Sequence, residues 1–269
     1  MSAARYGGAG EAARTLRLLW AGQAPRAAGT PGPKPGLRLD AIVQAAIAIA
    51  DERGDASISM RAVAGRLGCT AMALYTHVGD RAELLDLMYD RVHEGFPTPG
   101  PGTWRKRVGE WARALLDLYV RHRWIGEVSL ARPVLGPHEQ QVMESLLESI
   151  GPAGIGWADT SAIVSSLFSL ARTTARTIGE ARAAERETGS ADREWWEARM
   201  RALAEVAPDC AERFPHWTAL TRAGAAAGPA EAEPGSDADP DAGTPAPIME
   251  RAARRAFRRG VELLLAGAS

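Results

Sequence analysis

The sequence predicts an all-α protein: a small N-terminal helical unit followed by a larger C-terminal helical domain. Three observations carry this expectation. Between residues 39 and 88, four short apolar-striped segments follow one another, punctuated by capping residues and glycines. From residue 104 onward, apolar residues recur at helical spacing through three longer segments. A last amphipathic segment then follows an acidic stretch, 224–247, that is rich in Gly, Pro and Ala.

Residues 40–53 place Ile42, Ala45, Ala46 and Ile49 at i, i+3, i+4 and i+7, which is one apolar helix face, with Asp40 as start cap and Gly54 as stop. Ser59 caps a second helix, Ile58 and Val63 are spaced as a hydrophobic staple around its start, and Gly68 ends it. Thr70 opens a third. There Leu74 and Val78, four apart, turn inward and leave Ala71, Met72, Ala73, Thr76 and His77 outside. Gly79 breaks the chain, and Asp80 with Glu83 makes an Asp version of the capping box for a fourth helix carrying Leu84, Leu85, Leu87 and Met88.

Two short helices joined by a tight turn and braced by a third are the layout of a helix-turn-helix, whose second helix enters the DNA major groove. The outward residues suit that task. Tyr75 and His77 carry polar tips able to reach a phosphate, Arg81 offers a charged clamp, and Arg61 is the candidate for a bidentate base or phosphate contact. The run "SMRAVAGRLGCTAMALYTHVGDRAELLDLM" closely resembles the TetR family of transcriptional repressors. It has a Ser before the second helix, Leu-Gly ending it, Leu-Tyr-x-His-Val in the third, and Arg before acidic-Leu-Leu in the fourth. The resemblance implies a DNA-binding domain over 37–97 with the helix-turn-helix at about 59–78. It also implies phosphate contacts by Tyr75, His77 and Arg81, and base or backbone contacts by Ser59, Arg61, Thr70, Ala71, Met72, Ala73 and Thr76. Ala71, Met72 and Ala73 depart from a hydrogen-bonding reader, since they offer methyl groups only, and so point to thymine methyls and DNA shape.

The C-terminal block, 101–269, begins with three apolar stripes. Over 104–120 these are Val108, Trp111, Ala112, Leu115, and Leu118 or Tyr119; over 137–150, Val142, Leu146 and Leu147; over 159–179, Ile163, Leu167, Leu170 and Ile178. The closing helix, 248–265, sets Phe257, Val261 and Leu264 against a face of arginines. "RHRWIGEVSLARPVLGPHEQQVMESLLESI" and "AFRRGVELLLAGA" are similar to the tetracycline-repressor-like C-terminal domain, which implies a ligand-binding and dimerisation domain. By that resemblance the helices at 159–187 and 248–265 form a four-helix bundle with a second subunit. A small-molecule effector needs an apolar cavity with a few convergent polar groups. Trp111, Trp124, Met143, Phe168, Arg172 and Thr173 are its candidate walls, since helical phase puts most of them near the inward stripes, although the same positions serve core packing or a solvated face.

Residues 1–36 are basic: Arg5, Arg14, Arg17, Arg26 and Lys34, with Arg38 just beyond, face the single acid Glu11. Within them "EAARTLRLLW" sets Leu16, Leu19 and Trp20 at helix spacing, which fits a minor-groove arm, a dimer-stabilising flap or a disordered extension. Net charge of −1 argues against a nonspecific nucleic-acid coat, because that affinity comes from many neutralised phosphates. No GxSxG, HExxH, P-loop or strand-linked GxGxxG occurs; "GPAGIG" at 151–156 lies between helices, and the pair His138–Glu139 sits at a helix start, so no enzyme is expected. Cys69 and Cys210 stand in unrelated contexts, which supports neither a disulfide framework nor a metal site, and no cofactor is expected. With no apolar run of about 18 residues and no secretory signal pattern, no membrane partner and a cytoplasmic location are expected. A helical ligand or partner binder that has lost DNA binding is the alternative function.

Overall fold

The computed structural model describes residue 8 and residues 11–21, 37–129, 131–226 and 247–268, and among these the regular structure is helical. Residues 22–36, most of 1–10 and all but the two ends of the acidic stretch 224–247 lie outside the described residues. By contact, the chain divides into two compact units, Met1–Arg176 with Arg258–Ser269, and Thr177–Phe257.

In the first unit, α1 (Ala12–Trp20) is capped by Glu11, whose carboxylate accepts from Ala13 N and Arg14 N at 3.2 and 3.0 Å. Its buried face is Thr15 and Leu19, four apart; Leu16 and Trp20, spaced to join Leu19, are instead exposed. Helix α2 (Leu39–Arg53) ends at Gly54 as expected, but Asp40 is not its start cap. The cap position lies two residues earlier, at Arg38, with no side-chain cap bond. Asp40 lies in the first turn, where Arg91 claims its carboxylate at 2.6 Å, and that hydrogen bond holds the Asp40 carboxyl below its usual range.

Then follow α3 (Met60–Leu67), α4 (Ala71–Tyr75) and α5 (Arg81–Val92), with Val63, Leu74, Val78, Leu84 and Met88 closed from solvent between them and α2. Helices α6 (Trp104–Arg121) and α7 (Pro137–Ile150) carry the second core of this unit, and α8 (Trp157–Thr188) begins in it. Val108, Trp111, Leu115, Leu146 and Leu167 are wholly or almost wholly buried there, at the spacings the stripes predict. A 3₁₀ turn, Arg123–Glu127, separates α6 from the loop that leads to α7.

The second unit contains α9 (Asp192–Val206), α10 (Cys210–Arg213) and α11 (Pro215–Ala226), together with the end of α8 and the start of α12 (Ile248–Ala266). Its firmest tie is a buried carboxylate, Glu250, gripped by Arg182 at 2.7 and 2.9 Å and by Arg254 at 3.1 Å. Met249 N donates to Asp192 at 2.9 Å. Helix α9 has no buried residue, and Trp195, Met200, Phe214, Trp217 and Leu220 stand exposed on this unit.

Candidate nucleic-acid interface

The angle between α3 and α4 is set by a turn that glycine takes without strain. Gly68 has φ +66°; Cys69 N donates to Ala64 O at 3.0 Å and Gly68 N to Gly65 O at 3.3 Å, the paired bonds of a Schellman stop. Ser59 Oγ accepts from Ala62 N at 3.1 Å to start α3, and Thr70 Oγ1 accepts from Ala73 N at 3.2 Å to start α4. Inward, Ile58 and Val63 are buried, and Leu74 and Val78 are fully closed off. The result is a rigid two-helix wedge.

Its outer surface carries Met72 at 75% and Tyr75 at 45% relative exposure, with Ser59, Arg61, Thr70 and Thr76 also exposed and Ala71, Ala73, His77 and Arg81 half-buried. The helical part is shorter than the sequence pattern suggests. Helix α4 stops at Tyr75, so Thr76 and His77 lie on the turn that follows it, where His77 N and Val78 N both donate to Leu74 O at 2.9 Å. The Thr76 hydroxyl donates to Ala73 O at 2.7 Å, and Arg81 Nη2 donates to Ala56 O at 2.9 Å. Arg81 therefore secures the loop before α3, a task the sequence did not disclose. Arg66 is neutralised by Glu52 at 2.7 Å, which leaves Arg61 as the prominent cation of α3.

The reading wedge is joined to the following helices by carboxylates, of which Asp90 is buried, that pattern reading does not find. Asp51 of α2 accepts from His122 Nδ1 at 2.8 Å and from Trp124 Nε1 at 2.9 Å. Ala56 N donates to Glu127 at 3.2 Å. Asp90, near the end of α5, accepts from His138 N, Glu139 N and His138 Nδ1 at 2.9, 3.0 and 2.8 Å and so caps α7 from another helix. Gly136 makes this possible, because a Cβ there would overlap the Asp90 carboxylate.

The six candidate effector residues are not gathered at one place. Trp111 is wholly buried, donates to Val142 O and Ser145 Oγ at 3.1 Å each, and lies between the rings of Phe96 and Phe168 at 5.8 and 5.5 Å. Trp124 is enclosed on Asp51, at the joint with α2. Met143 is half-buried and Thr173 exposed. Arg172 Nη1 donates to Val128 O at 2.8 Å, and its guanidinium and the Tyr89 phenol both act on the buried hydroxyl of Tyr119. Burial pushes the Tyr119 phenol up to about 12 against the pull of Arg172, and burial also raises that of Tyr89. Two clefts are described instead beside α7. One of about 380 Å³ is lined by Trp20, Pro137, His138, Gln140, Gln141 and Glu144. A neighbour of about 130 Å³ is formed by His93, Phe96, Thr98 and Ser145 with the same His138 and Gln141. None of the six candidates lines either.

A capped two-helix wedge with an exposed outer face, braced by α2 and α5 and continued into a helical domain, defines a helix-turn-helix DNA-binding regulator. Comparison with known proteins agrees. Residues 96–238 match the family model described as tetracyclin repressor-like, C-terminal domain. The chain is 39% identical over 218 residues to the HTH-type transcriptional repressor DrrR1 of Streptomyces coeruleorubidus, covering 80% of this chain and 78% of that protein. Its fold is similar to that of ActR from Streptomyces coelicolor, at 26% identity over 87% of this chain and 96% of that one. The TM-score is 0.60 for apo ActR and 0.63 for ActR in complex with actinorhodin. The chain belongs to the TetR family and is a DNA-binding transcriptional repressor. No helix among the described residues is long and apolar enough to cross a membrane.

Proposed function

We propose that the protein works as a homodimer that holds two α3–α4 wedges in successive major grooves of an operator and leaves it when a small molecule binds the C-terminal domain. The single observation that carries the DNA part is the exposure of Met72, Tyr75, Thr76 and Arg61 on a wedge whose every inward residue is buried. Exposed Met and Tyr on so short and firmly capped a helix serve contact with another molecule. In this reading Tyr75, His77 and the free part of the Arg81 fork meet phosphates, and Ser59 and Thr70 add backbone contacts. Arg61 makes the charged contact, and Ala71, Met72, Ala73 and Thr76 present methyl groups to the bases.

Two subunits are required by the energetics: one wedge reaches a single half-site, and joining two at about one helical turn of DNA raises affinity through effective concentration. The effector reading is supported by the actinorhodin complex of the similar protein ActR and by the buried polar cluster of Tyr119, Tyr89 and Arg172. Trp111, Met143, Phe168 and Arg172 are its proposed walls, whereas Trp124, held by Asp51, and the exposed Thr173 act at most indirectly. A ligand that prefers the conformer with misplaced wedges lowers operator affinity by the same coupling factor; about 2 kcal/mol gives a working switch. The domain division that follows is 37–97 for reading and 101–269 for effector and dimer contacts, with 1–36 as an extension.

The test is fluorescence anisotropy of the protein on duplexes tiled across the intergenic DNA beside its gene, against scrambled duplexes. Saturable binding to one tile at least about 1000-fold tighter than scrambled DNA is expected. In Arg61→Ala a loss of about 10-fold or more on that tile, with dimer mass unchanged, is expected. Equal affinity for every duplex sinks the operator reading. Absence of any binding favours a helical ligand binder with a silent wedge, a reading for which the methyl-only Ala71–Ala73 stretch is the one supporting feature.

A further inference from the structure

We propose that α1 is a strap that locks the reading wedge to the effector domain by bridging α5 and the loop before α7. The ties run from Gly8, ahead of α1, to Trp20 at its end and go to two places. To α5, Gly8 N donates to Asp86 Oδ1 at 2.8 Å, and Arg14 Nε donates to both oxygens of Glu83 at 3.2 and 3.1 Å. The Thr15 hydroxyl adds a bond to Glu83 at 3.4 Å. To the loop, Trp20 Nε1 donates to Leu135 O at 3.0 Å. Between them Leu19 and Thr15 are buried.

Both receiving ends are built for such a partner. Glu83 and Asp86 are carboxylates on one face of α5, each only 1% exposed. Glu83 is answered from its own domain by Gly79 N at 2.6 Å, and α1 supplies its cation, Arg14. A buried anion without a cation is costly, so this face of α5 is matched to α1. At the other end Leu135 has φ +61°, the left-handed conformation that a branched side chain avoids. Its side chain is 45% exposed, so packing does not force it there. What holds it is a pair of backbone ties, its N–H to Glu139 at 2.6 Å and its carbonyl to Trp20.

The strap thus begins beside the end of the reading wedge and finishes on the loop whose next residues, Gly136 and His138, receive Asp90 of α5. Any motion of α5 against α7 must stretch or carry it. The proposal stands apart from the operator reading, because its test needs neither DNA nor effector.

That test is hydrogen exchange with mass readout on the full-length protein, wild type beside Leu19→Asp and Trp20→Ala. In the wild type the amides of 13–20 are expected to exchange at least about 100-fold slower than an unstructured chain. In Leu19→Asp that protection is lost, and exchange in 81–87 and in 131–137 rises about 10-fold together, while 60–67 keeps its rate. Trp20→Ala loosens 131–137 more than 81–87, and it decides the matter if Leu19→Asp does not fold. Unprotected 13–20 in the wild type overturns the strap. So does release of 13–20 with 81–87 and 131–137 unchanged.

Discussion

Asp90 illustrates how one side chain sets the position of a helix it does not belong to. Its carboxylate satisfies two of the free N–H groups at the start of α7 and also orients His138, so α7 is aligned on α5 by three hydrogen bonds. Asp90→Ala is expected to cost about 2 kcal/mol in urea unfolding, more than an ordinary cap because the amides it leaves are partly buried. Gly136→Ala should cost a comparable amount by driving a Cβ into the same carboxylate. His93 gives a pH signature. Its Nδ1–H donates to Tyr89 O at 2.7 Å, and burial holds its pKa below the ordinary 6.5, so the folded protein keeps it neutral. As pH falls below about 6.5 the unfolded chain takes up this proton first, and stability is lost down to the folded value at up to about 1.4 kcal/mol per pH unit. The stability difference between wild type and His93→Gln should therefore shrink as unfolding is measured from pH 7 to pH 5; a constant difference would remove His93 from the acid response.

Among the elements, α4 carries the most function in the fewest residues. Five residues make an unstable helix alone, so its geometry comes from Thr70 at one end, the buried Leu74 and Val78 at the other, and the Gly68 turn that delivers it. Gly68→Ala forces a Cβ into left-handed backbone and is expected to cost about 1 kcal/mol of stability. Its larger effect should fall on operator affinity, since the turn fixes where Met72 and Tyr75 point; anisotropy beside urea unfolding separates the two. Caps and glycine stops of this unit were legible because they are local: Ser59, Thr70 and Asp80 each bond an amide three residues on. Asp40 was misread for the same reason. Its short-range pattern is that of a cap, but Arg91, 51 residues away, offers a stronger partner.

At the scale of the whole molecule, the homodimer reading predicts that the thermal midpoint rises with protein concentration, because association stabilises only the folded chain. A midpoint that does not move between micromolar and tenfold higher concentration, together with a monomer mass, would remove the two-wedge mechanism. The all-α class, the stripes of α6 to α8 and the wedge with its outward residues were determined by the sequence itself. Helical periodicity and capping act over three to seven residues and leave their mark in the order of the chain. The tertiary structure alone decided the ties of Asp51 to Trp124, Asp90 to α7 and Trp20 to Leu135, which join residues 73, 48 and 115 positions apart. It likewise set Trp124 on Asp51 and gave α1 a docked face. Such pairings depend on where helices meet in space, and the polar side chains that make them follow no periodicity along the sequence.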